Sequence, residues 1–207
     1  MPRFWAIGGA VLVLTLAAGS TFALGAAEGP HPKRTAIVEP VRPSFESSVR
    51  TMLTPSQSRQ AIAAGVLDRD VKSMLKVNHA MRHGEFVWND ANVPDGPTWI
   101  RVDLDRQLIS IFRAGHEIGT AVTLYGANEK ATPAGRFRVQ WKRKDHHSST
   151  YDAPMPYTLR LTDDGIAIHG SEVLSGRATH GCIGVPTEFA RHLFANMKVG
   201  DAVVILG

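Results

Sequence analysis

The sequence predicts a mainly β fold, a β-sandwich or open barrel with one short late helix, preceded by a small helical segment. Three observations carry this. From Trp99 onward apolar residues recur at every second position, as in Ile100, Val102 and Leu104, the period of a half-buried strand. Turn signals follow at short intervals, at Asp105-Arg106, Ala114-Gly115 and Asp163-Asp164-Gly165. Helical spacing appears once in this half, where Phe189, Leu193 and Met197 share a face. At 207 residues, 43% hydrophobic and 20% charged, the chain has room for one medium domain and an appendage. The formal charge of +4 comes from scattered Lys and Arg residues. With no arginine-rich run and no basic helix, a nucleic-acid partner is not expected.

Residues 1–27 read as a signal peptide or membrane anchor. Arg3 supplies a positive end, Ala6 to Ala18 is an apolar run, and Ala23-Leu24-Gly25 offers small residues for cleavage. Uncleaved, Phe4 to Ala27 approaches the roughly 20 residues of a membrane span, so N-terminal membrane association is the alternative. Either way the protein is expected to be exported, to the periplasm or cell envelope. Residues 28–43 form a linker, with Pro30, Pro32, Pro40 and Pro43 among charges. Residues 44–98 form a helical appendage. Pro55 and Ser56 start one helix, Gly65 interrupts it, and Asp68 caps a second piece carrying Val71, Met74, Leu75 and Met81. His79 and His83 are spaced i,i+4 but have no third partner and read as surface residues.

Residues 99–207 read as a separate, β-rich domain. Strands are expected around Ile100 to Leu104, Leu108 to Phe112, Ile118 to Tyr125, Arg136 to Trp141, Tyr157 to Leu161, Ile166 to Ile168 and Ala202 to Leu206. Lys142 to Tyr151 is polar and too long for a simple hairpin, which suggests a flap over a site. Thr187 is placed to cap the late helix.

The chemistry concentrates between Gly165 and Pro186. Cys182 is the only cysteine, so no internal disulfide can form. In an exported protein a lone thiol points to an intermolecular bridge or a reactive free thiol, while the flanking His and Gly residues are poor material for a buried structural cysteine. His169 closes an apolar run upstream and His180 lies two residues before the thiol. An imidazole can serve a thiol as base, and consecutive N–H groups at the Gly181-Cys182 turn suit an oxyanion. His169 is the better base, because a strand holds a ring more firmly than a loop does, and His180, in the turn that carries the thiol, is the weaker candidate. The competing chemistry is zinc, with His169, His180 and Cys182 as ligands and Asp152 or His146-His147 completing the set, although no common ligand spacing is matched.

The later motifs, taken together, resemble the L,D-transpeptidase catalytic-domain (YkuD-type) family. These are Ile100 to Leu104, Thr132-Pro133-Ala134-Gly135-Arg136-Phe137, Met155-Pro156-Tyr157, Ile168-His169-Gly170 and Thr179-His180-Gly181-Cys182-Ile183. The resemblance implies Cys182 as nucleophile, His169 as base and the Gly170 carbonyl as its orienter. His180, Gly181, Tyr157 and Thr179 match positions that line the site or help hold the oxyanion, and Tyr157 reads equally well as a packed strand aromatic. The implied partners are peptidoglycan stem peptides, with carbapenem-type inhibitors, and no metal or organic cofactor. The implied reaction is acyl transfer through a thioester, to form cross-links or, with water as acceptor, to trim stems as an L,D-carboxypeptidase. A non-catalytic peptidoglycan-binding module is the distant alternative. Two departures stand out. Gly184 occupies a position where relatives often carry Arg or Asn, for which Arg177 is the candidate replacement, and the interval from His169 to Thr179 is short.

Overall fold

The computed structural model describes residues 49–126 and 130–207. The expected signal segment at 1–27, the linker at 28–43 and the first residues of the appendage lie outside them. In chain order the elements are β1 (Arg50–Met52), α1 (Pro55–Ala63), β2 (Ser73–Leu75), β3 (Phe86–Trp88), β4 (Thr98–Asp103), β5 (Leu108–Arg113), β6 (His116–Val122) and β7 (Gly135–Arg138). Then follow β8 (Trp141–Arg143), β9 (His147–Ser148), β10 (Ala153–Pro154), β11 (Thr158–Arg160), β12 (Ala167–Ser171), β13 (Ile183–Pro186), α2 (Thr187–Asn196) and β14 (Ala202–Leu206). Among the described residues the fold is mostly β with two helices, and the sheets do not close into a barrel.

The larger sheet runs β1-β2-β6-β5-β4-β14-β7, with β3 also paired to β6. Ala114 and Gly115, both at positive φ, join β5 to β6 with the backbone twist that suits a two-residue hairpin. The smaller sheet runs β13-β12-β11-β8, and β9 pairs with β10 as a separate hairpin. Reciprocal main-chain bonds between Leu124 and Gly184, 2.8 and 2.9 Å, tie the segment after β6 to β13. Strand alternation then builds the core. Ile100, Val102, Ile109, Ile111, Val203 and Ile205 project from the larger sheet, while Leu159, Ile168, Ile183 and Val185 come from the smaller one. Phe189, Leu193 and Met197 of α2 are buried in the same cluster.

The late helix begins differently from the expectation. Pro186 is its N-cap and Thr187 its first residue, with no side-chain cap bond. At its other end the Lys142 ammonium donates to the carbonyls of Phe194 and Met197, where a cation is favoured. The expected strand from Arg136 to Trp141 is split between β7 and β8, which belong to different sheets.

In the N-terminal segment α1 forms where expected. Thr54 and Gln57 make a reciprocal capping box in front of Pro55. The second helical piece does not form. Asp68 is no cap but is ion-paired with Arg69 and Arg136 at 3.0 and 3.3 Å. Val71 N–H donates to Ser58 Oγ, and 73–75 adds a strand to the larger sheet. The apolar residues serve tertiary packing: Leu67 and Val71 are buried against Trp99 and Phe112. Among the described residues, no helix is long and apolar enough to cross a membrane.

Candidate functional site

Cys182 sits immediately before β13, where the chain crosses the end of β12. Its Sγ lies 3.5 Å from Gly165 O, and Ala167 N–H points at the sulfur from the same strand edge. The turn that delivers it demands glycine. Gly181 has φ +94, and a Cβ there would lie 2.7 Å from Ile166 Cδ1. A Cβ on Gly126 would meet Lys130 O at 2.2 Å and Gly181 N at 2.3 Å, so two backbones pass in near contact behind the thiol. Thr132 locks them together. Its buried hydroxyl accepts from Gly126 N–H at 2.8 Å and donates to Gly181 O at 2.9 Å. Thr179 N–H donates to Tyr125 O at 3.1 Å, and the Thr179 hydroxyl donates to Cys182 O.

His169 lies two residues beyond Ala167 on β12, roughly 7 Å along the strand. It is 9% exposed, with Nδ1 3.0 Å from Gly170 O. An N–H on Nδ1 satisfies that carbonyl and leaves Nε2 with a free lone pair. Gly170 N–H donates to Pro156 O at 2.8 Å, and a Cβ on Gly170 would lie 3.1 Å from Pro156 Cγ and 3.2 Å from Thr187 Cα. The histidine is thus mounted on a strand clamped from both sides. Burial pushes the imidazole pKa down, opposed by the Gly170 carbonyl and assisted by His146. Burial pushes the Cys182 thiol up, against the pull of Ala167 N–H, Arg160 and Lys130. Both shifts favour a neutral thiol and a neutral imidazole at rest.

The other expected residues occupy different surroundings. His180 is exposed, and its ring stacks on Tyr151 at 4.5 Å and 19°. Tyr151 belongs to the turn joining β9 and β10, so the polar segment expected as a flap meets the His-Gly-Cys turn through this pair. Tyr157, at φ +58, packs its half-buried ring against Phe194 of α2 at 5.9 Å. Arg177 is exposed on the loop between β12 and Thr179. Gly184 pairs with His169 across β12 and β13, and a Cβ there would lie 2.9 Å from Ser171 Oγ. Ser171 therefore fills the space that a larger side chain at 184 would need.

The sequence reading missed Thr132, Tyr151 and the cations Lys130 and Arg160. Thr132 had a signal in its Thr-Pro-Ala-Gly turn; the others lie far from Cys182 in sequence. Among the described residues no group of three His, Cys, Asp or Glu side chains is placed to hold a metal ion. A cavity of about 600 Å³ opens on the opposite face of the larger sheet, lined by Met74, Leu108, Phe112, Glu117 and Val122. It touches neither Cys182 nor His169, and the reactive side chains, not this cavity, mark the candidate site.

The family model of the L,D-transpeptidase catalytic domain matches residues 97–205. No curated protein matches the chain. Among solved structures, an L,D-transpeptidase from Stackebrandtia nassauensis is 22% identical, with a TM-score of 0.50 over 55% of this chain and 57% of that one. An L,D-transpeptidase from Mycobacterium smegmatis is 19% identical, with a TM-score of 0.49 over 53% and 58%. L,D-transpeptidase 3 from Mycobacterium tuberculosis, solved with a faropenem-derived adduct, is 18% identical, with a TM-score of 0.48 over 53% and 60%. The chain spans less than two thirds of the length of these structures. The family model covers more than half of the chain, from just before β4 to the last strand, and the chain belongs to the L,D-transpeptidase catalytic-domain family.

Proposed function

We propose that this protein is an exported peptidoglycan L,D-transpeptidase of the cell envelope, working through a Cys182 thioester. The observation that supports this reading is the pairing of two placements within a domain of that family. The lone thiol is held at the edge of β12, and the histidine on the same strand has Nδ1 against the Gly170 carbonyl.

With thiol and imidazole both neutral at rest, Cys182 needs a base at the moment of attack. His169 Nε2 takes the thiol proton as Sγ adds to the carbonyl of the third stem residue. The negative charge on the carbonyl oxygen is met by N–H groups of the Gly181-Cys182 turn. Collapse breaks the bond to the terminal D-amino acid, whose amine leaves with the proton from His169, and the thioester remains. An amine of a second stem then attacks the thioester and passes its proton to His169. Expulsion of the Cys182 thiolate, which takes that proton back, completes the cross-link and restores both groups.

Incubation with purified disaccharide-tetrapeptide, followed by mass spectrometry, tests the proposal. Wild type is expected to give cross-linked dimers and Cys182→Ala none. Tripeptides without dimers would replace transpeptidation by hydrolysis through the same thioester. Untouched tetrapeptide, together with no covalent adduct from a carbapenem, would leave only a binding module.

A further inference from the structure

A row of side chains runs across the smaller sheet toward the thiol. Arg160 on β11 is in register with Trp141 of β8 on one side and Ala167 of β12 on the other. Residues in register share a face of the sheet, so Trp141, Arg160 and Ala167 line up, and Ala167 N–H is the group that points at Cys182 Sγ. Arg143, two residues beyond Trp141 on the same strand, holds its guanidinium 5.0 Å from the Trp141 ring centroid, and Arg160 holds its own at 5.7 Å. The indole therefore has two cations about it.

Arg160 is fixed by Nε donating to Thr162 O at 2.6 Å and Nη2 donating to Asp163 O at 3.0 Å. Its two terminal nitrogens lie 3.9 Å from the place where Gly165 would carry a Cβ. Gly165 O is the atom that Cys182 Sγ approaches at 3.5 Å. One residue without a side chain thus separates the guanidinium from the thiol. Lys130 stands on the other flank, its stem 3.2 Å from the Cβ position of Gly181 and its ammonium 3.1 Å from Asp164 Oδ2. Asp164 is two-thirds exposed, and an exposed ion pair of this kind is weak, so the lysine can exchange its partner. Arg160 and Lys130 both act on the Cys182 thiol, lowering its pKa against burial.

We propose that Arg160, supported by Trp141 and Arg143 and flanked by Lys130, forms a carboxylate-binding subsite beside Cys182 that selects donor stems carrying a free carboxylate on their third residue. A planar guanidinium matches a carboxylate with two parallel N–H···O bonds. An amidated side chain offers one acceptor and no charge. This inference rests on the stem-peptide reading of the same site.

The test compares two tetrapeptide donors that differ only in whether the side-chain carboxyl of the third residue is free or amidated. Acyl-enzyme formation by the full chain is followed by intact-protein mass. Wild type is expected to favour the free acid at least tenfold in kcat/KM, mainly through KM. Arg160→Gln is expected to bring the preference within about threefold, and Arg160→Lys to recover part of it. Lys130→Gln, at a more exposed position, provides a second reading and is expected to reduce the preference to a smaller degree. Equal acylation of both donors by wild type would overturn the subsite while leaving the acyl-transfer reading intact. Loss of both donors in equal proportion in Arg160→Gln, with no recovery in Arg160→Lys, would reduce Arg160 to a structural role. Absence of acylation from either donor, with Cys182 still reactive toward iodoacetamide, would overturn the stem-peptide reading and the subsite together.

Discussion

At the scale of single residues, the site holds a half-buried thiol with a raised pKa, and the strand whose Ala167 N–H points at it carries a buried imidazole with a lowered one. A preformed thiolate–imidazolium pair would show the reverse shifts. The pH dependence of alkylation by iodoacetamide separates the two states. The rate at Cys182 is expected to keep rising with pH past about 8.5, the range of a free thiol, with no plateau near neutrality. A plateau below pH 7 would mean a preformed thiolate. His169→Ala is expected to lower thioester formation by about 10²–10⁴-fold, the usual worth of a placed base, with little change in stem-peptide KM. His169 also shapes stability. Because its folded pKa is lowered, the unfolded chain binds a proton first, so this contribution is present above about pH 6.5 and is lost as pH falls toward the folded pKa. Cys182 and His169 were legible in the sequence because reactive residue types framed by glycines are poor core material. Arg160 and Lys130 were not, because a cation's relation to a thiol depends on strand register and loop closure. Tyr157 was legible only as a choice between two roles, and the ring lies against Phe194.

At the scale of elements, the thiol's position depends on how tightly the backbone passes itself near Gly126 and Gly181. Gly181→Ala combines a positive φ with a 2.7 Å approach to Ile166 Cδ1. It is expected to cost about 2 kcal/mol or more and to lower activity further than stability alone explains, since the N–H groups proposed to meet the oxyanion share the turn. Gly126→Ala meets backbone at 2.2 and 2.3 Å instead of a movable side chain, so its loss in thermal midpoint is expected to exceed that of Gly181→Ala. Equal midpoints for both variants and wild type would contradict the close approach. The hairpin of β9 and β10 meets the same turn through Tyr151 and His180. Tyr151→Ala is expected to raise stem-peptide KM several-fold while leaving the thermal midpoint within about 1 °C, because an exposed stack contributes little to stability. That the polar stretch from Lys142 to Tyr151 is no simple hairpin was legible from its length; that it begins in β8 of the smaller sheet was not. The missing second helix was not, because Val71, Met74 and Leu75 satisfy a helical spacing and a strand equally well in so short a run. What decided it was tertiary pairing: Ser73 lies beside His116 on β6, and β1 pairs along the other side of the segment.

At the scale of the whole molecule, the larger sheet separates the reactive side from a second polar layer. Glu117 of β6 is 2% exposed, and its Oε2 accepts from Leu75 N–H at 2.7 Å, tying β2 onto the sheet. The Arg50 guanidinium reaches the carbonyls of Glu117 and Asn89, so β1 and the residue after β3 are held at the same point. Burial pushes the Glu117 carboxyl pKa up, with Ser110, Leu75 N–H, Arg50 and Arg101 opposing it. For an acid whose folded pKa is raised, the folded state binds its proton more tightly. The stabilisation is therefore fully present below the ordinary carboxylate pKa of about 4.3 and is lost as pH rises through the folded value. Glu117→Gln keeps an acceptor for Leu75 N–H and removes the charge. Its stability advantage over wild type is expected to be near zero at pH 4 and to grow toward neutral pH, as read from urea midpoints across that range. Glu117→Leu leaves Leu75 N–H without its acceptor and is expected to cost about 1–3 kcal/mol at every pH. A Glu117→Gln variant that loses stability as pH rises, relative to wild type, would mean that Arg50 and Arg101 outweigh burial and that the N-terminal strands are held by a charged carboxylate. The thiol and His169 lie on the other sheet, so neither substitution is expected to change the iodoacetamide profile of Cys182. That separation allows the clamp on the N-terminal strands to be measured apart from the chemistry.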